Sequence, residues 1–262
     1  MSASHSADDT GERPYIERNR RNLPAATAFA WLAAGWRDVL NRPGSSLAYG
    51  LAVAAVSLAI IWSLFALGYD YILFPALAGF MVMGPLVAVG LYEKSRALAR
   101  GEPVPLARMV FVRPRSGAQI WFTGAILCGL MLLWMRAAVL IYALFFGLTP
   151  FPGLDHVTAM LFTSWTGWAM LAVGSAVGGV FAAFSFAIST FSIPMLLDEE
   201  TDAFTAMGNS ISLVWSNLPV MLTWGGIVLV LILAGLATAL IGLIVVFPLL
   251  GHATWHAYRA MR

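Results

Sequence analysis

From about Ser45 onward the chain is built of long apolar blocks separated by short polar punctuation. A helix rises about 1.5 Å per residue, so about 20 residues cross the hydrocarbon of a bilayer. The first block runs from about Ser45 to Tyr92, the second from about Ala118 to Pro194, and the third from about Leu218 to Tyr258. Each is too long for a single crossing. GYDY, Gly68 to Tyr71, breaks the first, and TPFPGLDH, Thr149 to His156, breaks the second. A subtler break is expected near GLATAL, Gly235 to Leu240. The pattern predicts an all-α membrane protein with six transmembrane helices arranged as three hairpins.

Two segments ahead of these blocks have helical rather than continuous hydrophobicity. In AFAWLAAGWRDVLNRP, Phe29, Leu32, Trp36, Val39 and Leu40 fall on one helical face. In AFTAMGNSISLVWSNLP, Phe204, Met207, Ile211, Val214 and Trp215 repeat that spacing. Both segments end near a proline and precede a predicted hairpin, which suits amphipathic helices on the membrane surface before the first and third hairpins. The second arms also correspond: Pro85, Tyr92 and Arg96 match Pro248, Trp255 and Arg259. The chain therefore reads as a tail, residues 1–23, and one helical domain, residues 24–262, with an internal repeat of about 28–98 and 203–261. A weaker third copy begins at PLARMVFVRP, Pro105 to Pro114. Ordinary helix amphipathicity remains the alternative to a repeat.

Composition agrees with a membrane solvent: of 262 residues, 60% are hydrophobic and 11% charged, where soluble chains carry about 25% charged residues. Of the 15 basic residues, Arg13, Arg18, Arg20, Arg21, Arg37 and Arg42 precede the first helix. Lys94, Arg96, Arg100, Arg108, Arg113 and Arg115 lie between the second and third, and Arg259 and Arg262 follow the last. The opposite loops hold Asp70 and Asp155. The positive-inside rule then places both termini in the cytoplasm. Tyr92, Trp121, Trp255 and Tyr258 are expected at the inner interface, and Trp62, Tyr69, Tyr71, Trp165 and Trp168 at the outer one. The polar N-terminus has no signal-peptide core and reads as a disordered cytoplasmic tail. Basic residues that are nearly all Arg, with abundant Ala, suggest a bacterial source, hence the inner membrane.

The remaining basic residue, Arg136, lies inside the apolar run Gly129 to Tyr142. A central arginine costs from about 3 to more than 10 kcal/mol in lipid, so it is expected to face the bundle interior or a polar cavity. Asp155, Asp70, Thr163, Ser164 and Thr166 are its candidate partners. It either pins two helices together or binds an anion. Gly174, Gly178 and Ala182, four apart, form a candidate helix-packing seam. His252 and His256 share a helical face and are weak metal candidates with no third ligand. The single cysteine, Cys128, allows no intrachain disulfide. The acidic stretch Asp198, Glu199, Glu200, Asp202 either caps the following helix or docks a basic partner. The basic loop Glu93 to Arg115 suits an anionic lipid surface rather than nucleic acid. No phosphate loop or catalytic motif occurs, so neither enzyme activity nor a cofactor is expected.

AAGWRDVLNRPGSSLAYG, MGPLVAVGLYEKSRALARGE, SIPMLLDEETDAFTAM and FPLLGHATWHAYRAM, in this order, resemble the bacterial integral-membrane family called domain of unknown function 2189. Some members of that family carry a cytochrome c oxidase label. The resemblance implies an integral membrane protein without an assigned activity. With only His252 and His256 in membrane helices, a catalytic haem-copper role does not fit. The reading that follows is a non-enzymatic accessory, assembly or scaffold protein, with a place beside a respiratory complex as one form of it. The alternative is a small-solute or anion transporter with Arg136 in its path. The partners implied are the lipid bilayer and, on the first reading, another membrane complex.

Overall fold

The computed structural model describes residues 19–147 and 153–262, apart from the side chains of residues 154, 155 and 158. These residues are helical throughout, with no strand among them. The order is α1 Thr27–Leu40, α2 Pro43–Ala66, a 3-10 turn Asp70–Ile72, α3 Leu73–Val87, α4 Val89–Leu98, α5 Leu106–Val110 and α6 Gln119–Phe146. It continues with α7 Leu154–Thr163, α8 Trp165–Ser189, α9 Ser192–Asp198, α10 Ala203–Ser216, α11 Leu218–Ala237 and α12 Leu243–Met261.

Among the described residues five helical stretches are long and apolar enough to cross a membrane: Pro43–Ala66, Asp70–Leu98, Gln119–Phe146, Trp165–Asp198 and Leu218–Ala237. The sixth helix of the sequence reading, α12, is present, but His252, His256 and Arg259 dilute its apolar character. The break between α11 and α12 falls at residues 238–242, where Ala239 and Leu240 adopt positive φ. Pro85 lacks the N–H that would bond the Met81 carbonyl, and the second stretch bends at Ala88 before continuing as α4.

The predicted hairpins are not the packing units. α2 packs on α12, whereas α3 packs on α6 and α8, so the two arms of the first hairpin have different partners. α12 is the hub, lying against α1, α2 and α4, with α11 beside it. Close approach is possible because Gly35 faces the Ala253 backbone and Gly50 the Ile244 carbonyl. One set of long helices is therefore α2, α11 and α12, and the other is α3, α6 and α8.

Burial is concentrated at one end. Gly90 to Ala97 of α4 and all of α9 are buried, as is most of α12 from Phe247 onward. Arg21 donates to the carbonyls of Met261 and Arg262 at 2.9 and 3.1 Å, so the start of the described chain and the C-terminus meet at this end. Asn19 also bonds Ser212 at 2.7 Å, so residues 19–23, assigned to the free tail from sequence, are docked. Residues 1–18 of that tail lie outside the described residues. Tyr92, Trp255 and Tyr258, expected in an interfacial aromatic belt, are instead enclosed in this core. Only Trp121 of the inner set is exposed. All five outer-interface aromatics are exposed.

α1 and α10 bury equivalent positions. Ala28, Trp31, Gly35 and Val39 are buried in α1, and Ala203, Ala206, Ser210 and Val214 in α10, each pair 175 residues apart. Phe29, Trp36 and Leu40 are exposed, like their counterparts Phe204, Ile211 and Trp215. Each helix thus has a small-residue face against the bundle and a bulky apolar face outward.

Candidate functional site

The most concentrated chemistry lies in the core at the terminus-bearing end. Lys94, on α4, is 1% exposed. Its ammonium donates to the Ser46 hydroxyl at 2.8 Å and to the Arg42 carbonyl at 3.2 Å. Ser46 Oγ lies 2.9 Å from His252 Nε2, and His252 Nδ1 lies 2.8 Å from Ser95 Oγ. Ser95 donates to Asp38 Oδ2 at 2.6 Å, which His256 Nε2 also approaches to 2.8 Å.

Donor chemistry orients this chain. An ammonium can only donate, so Ser46 accepts from Lys94 and turns its own hydrogen to His252 Nε2. The neutral imidazole then carries its hydrogen on Nδ1 and gives it to Ser95, which gives its own to Asp38. The result is a one-directional relay from a buried cation to a carboxylate. Burial pushes the Asp38 carboxyl upward, but the hydrogen bonds from His256 and Ser95, with nearby His256 and His252, outweigh it and hold it below the usual range.

Two ionic clusters flank the relay. Buried Glu93 pairs with Arg96 and, at 2.7 Å, with Arg108. Arg108 also holds Glu102 at 2.7 Å. Buried Asp198 meets Arg262 at 2.9 Å and Arg100 at 3.3 Å, with Arg259 at 3.9 Å. Glu199 accepts from Tyr258 at 2.6 Å and pairs with Arg262 at 3.2 Å. Glu200 lies 3.8 Å from Arg115. Asp202 caps α10 by accepting from the Thr205 N–H at 2.9 Å. Capping therefore explains only one member of the acidic stretch. The other three face arginines of the same chain, Asp198 buried and Glu200 exposed. In the basic loop Arg96 is buried while Arg100, Arg113 and Arg115 are exposed, and of its arginines Arg113 alone has no ion pair among the described residues.

His252 has both ring nitrogens in hydrogen bonds, and His256 faces Asp38, so the pair presents no metal site. No group of three or more His, Cys, Asp or Glu among the described residues could hold a metal. The sequence signal for the relay was present but divided: two histidines one turn apart, and a Lys-Ser pair ending an apolar run.

The expectation for Arg136 is corrected. Trp134 turns inward, donating from its indole to the Pro75 carbonyl at 3.1 Å. Two residues further is about 200° around a helix, which carries Arg136 to the opposite, exposed side. It has no hydrogen bond or ion pair among the described residues and faces no interior cavity. Thr163 closes α7 and bonds the Ala159 carbonyl. Ser164 caps α8 by accepting from Gly167 N–H, and Thr166 is exposed in its first turn. None bonds Arg136. Asp70 lies in the 3-10 turn, and the side chain of Asp155 lies outside the described residues.

Gly178 lies under the Trp134 ring, where a Cβ would come within 2.9 Å. Gly174, Gly178 and Ala182 all line a cavity of about 1070 Å³ between the two helix sets. No heavy atom lies within 4 Å of a Cβ built at Gly174.

No curated protein and no solved structure matches the chain. The segment from α3 to the end of α9 contains Lys94, Ser95, Arg136 and Asp198, and leaves Asp38, Ser46, His252 and His256 outside. Over this segment, residues 73–198, the chain matches the family described as predicted integral membrane protein (DUF2189).

Proposed function

We propose that this chain is an accessory protein of the bacterial inner membrane. It crosses six times with both termini in the cytoplasm. It works by helix contact with another membrane protein rather than by chemistry of its own. The observation that carries this reading is Arg136, an exposed cation without a partner on the longest helix among the described residues. α6 has 28 residues, about 42 Å of rise, and Arg136 lies about 5 Å beyond its midpoint toward the outer end. Left in lipid it costs about 3 kcal/mol or more. A carboxylate on a neighbouring transmembrane helix removes that cost.

The rest of the same face suits such a neighbour. Leu132, Leu133, Leu140 and Leu144 are exposed around Arg136. Ala125 and Gly129, one turn apart and exposed, allow close backbone approach toward the inner end. A second copy of the chain is a poor neighbour, because its membrane spans hold no free carboxylate at this depth. A respiratory complex is one class of partner. The alternative, an anion path through Arg136, has less support, because the large cavity opens on the other side of α6.

The topology rests on two supports. With six crossings, fourteen of the 15 basic residues share one side, and the contact of Arg21 with the C-terminal carbonyls suits an even number of crossings. A cysteine replacing Asp70 would then react with an impermeant reagent from outside. Matching burial of α1 and α10 supports a duplication of about 28–98 and 203–261.

A photo-crosslinking amino acid at Leu133 or Leu140 in native membranes tests the docking. The expected product joins this chain to a protein with an Asp or Glu in a transmembrane helix. Arg136→Glu should abolish it, and the opposite exchange in the partner should restore it. Undiminished crosslinking by Arg136→Leu would refute the proposal.

A further inference from the structure

The cavity between the two helix sets is walled almost wholly by membrane-length helices. Phe74, Met81, Trp134 and Phe186 face it from α3, α6 and α8, and Trp224 and Phe247 from α11 and α12. At about 1070 Å³ it exceeds the usual range for small-molecule pockets, about 300–1,000 Å³. Its size and walls exclude a small polar solute and suit a long hydrocarbon chain.

One end of the cavity differs. Ser185, Ser189, Thr190 and Thr254 line it near the terminus-bearing core. Each of these hydroxyls gives its hydrogen to the carbonyl four residues earlier, at 2.6 to 2.7 Å. Thr254 is bonded in addition to Tyr92, which shares this end; the oxygens of the other three keep lone pairs for a further bond, so this end presents acceptors and no free hydroxyl hydrogens from these four groups. A ligand reaching it gains most by bringing a donor. Among the described residues no lysine, arginine or carboxylate lines the cavity, so the matching head group is uncharged.

From this we infer that the cavity is a binding chamber for a neutral membrane amphiphile with a long apolar chain and a hydroxyl head. The head lies among Ser185, Ser189, Thr190 and Thr254, and the chain extends toward Tyr71 and Phe162. The inference is independent of docking at Arg136, which lies on the other side of α6.

The test uses the full-length protein in detergent after delipidation, with oleyl alcohol as ligand and 1-octadecene as the matched chain without a donor. Native mass spectrometry should show one saturable oleyl alcohol adduct and at least tenfold weaker binding of 1-octadecene. Gly174→Phe and Gly179→Phe place a ring where a Cβ meets nothing within 4 Å. Both should fold and lose the adduct. Gly226→Phe, in open space on α11 outside the cavity lining, should retain it. A Ser189→Ala, Thr254→Val double variant should bind the two ligands alike. Equal binding of both ligands by the unaltered protein would overturn the head-group assignment. An adduct that persists in both filled variants would overturn the chamber itself.

Discussion

Gly50→Ala tests the contact that splits the first hairpin. Gly50 lies on α2 against α12, where a Cβ would come within 2.1 Å of the Ile244 carbonyl oxygen, 2.8 Å of its carbon and 2.9 Å of Pro248 Cγ. Pro248 has no N–H to give that carbonyl, and the bare Gly50 backbone covers it. The obstacle is backbone, so no rotamer relieves it, and the helices must part by about 1 Å. A gap of about 0.5–1 Å forfeits a quarter to a half of the dispersion energy across a contact, and overpacking of this kind costs about 1–3 kcal/mol. Alanine returns about 0.5–1 kcal/mol of helix propensity, which leaves a net loss of about 1–2 kcal/mol. For a chain of this size that is a fall in Tm of roughly 2–8 °C, measurable by thermal unfolding in detergent. Gly226→Ala is the control: nothing lies within 4 Å of its added Cβ, so it should match or exceed the unaltered protein. If Gly50→Ala melts no lower than Gly226→Ala, the α2–α12 packing is wrong.

Asp198→Ala removes the buried partner of Arg100 and Arg262; because both guanidiniums are about half exposed, a loss of about 1–3 kcal/mol is expected, read as a lowered Tm that Asp198→Glu partly restores. The Asp38 carboxyl is held below its ordinary value of 3.8. A depressed folded pKa stabilises above the unfolded pKa and is lost as pH falls through the folded one. Asp38→Asn should therefore flatten the stability profile below about pH 4, and an unchanged acid limb would count against the relay. His252→Leu leaves the Ser46 hydroxyl hydrogen without its acceptor, at about 1–3 kcal/mol, while Ser95 keeps Asp38, and it should lower Tm more than His256→Leu, whose side chain is only half-buried. Arg136→Leu should leave the Tm of the isolated protein unchanged or raised, since no internal bond is lost, while reducing the crosslinked product.

Block length and punctuation alone determined that the chain is helical and threads a membrane, and where its turns fall. Those features depend on local hydropathy, and a helix satisfies its own backbone in lipid. The two amphipathic segments and the α11–α12 break were legible for the same reason. Pairing was not. α2 and α3 are adjacent in sequence, but Gly50, Gly79 and Gly124 determine which surfaces meet closely, and periodicity does not name a glycine's neighbour. The charges show the same limit. Counting arginines gave a side of the membrane, but only the folded chain turned Arg96, Arg100, Arg108 and Arg262 onto Glu93 and Asp198. Lys94 and His252 are 158 residues apart in the chain and share Ser46 only because α2, α4 and α12 converge. Arg136 gave the opposite outcome. Its cost in lipid argued for an inward place, and the inward Trp134, about 200° away around the same helix, left it outside.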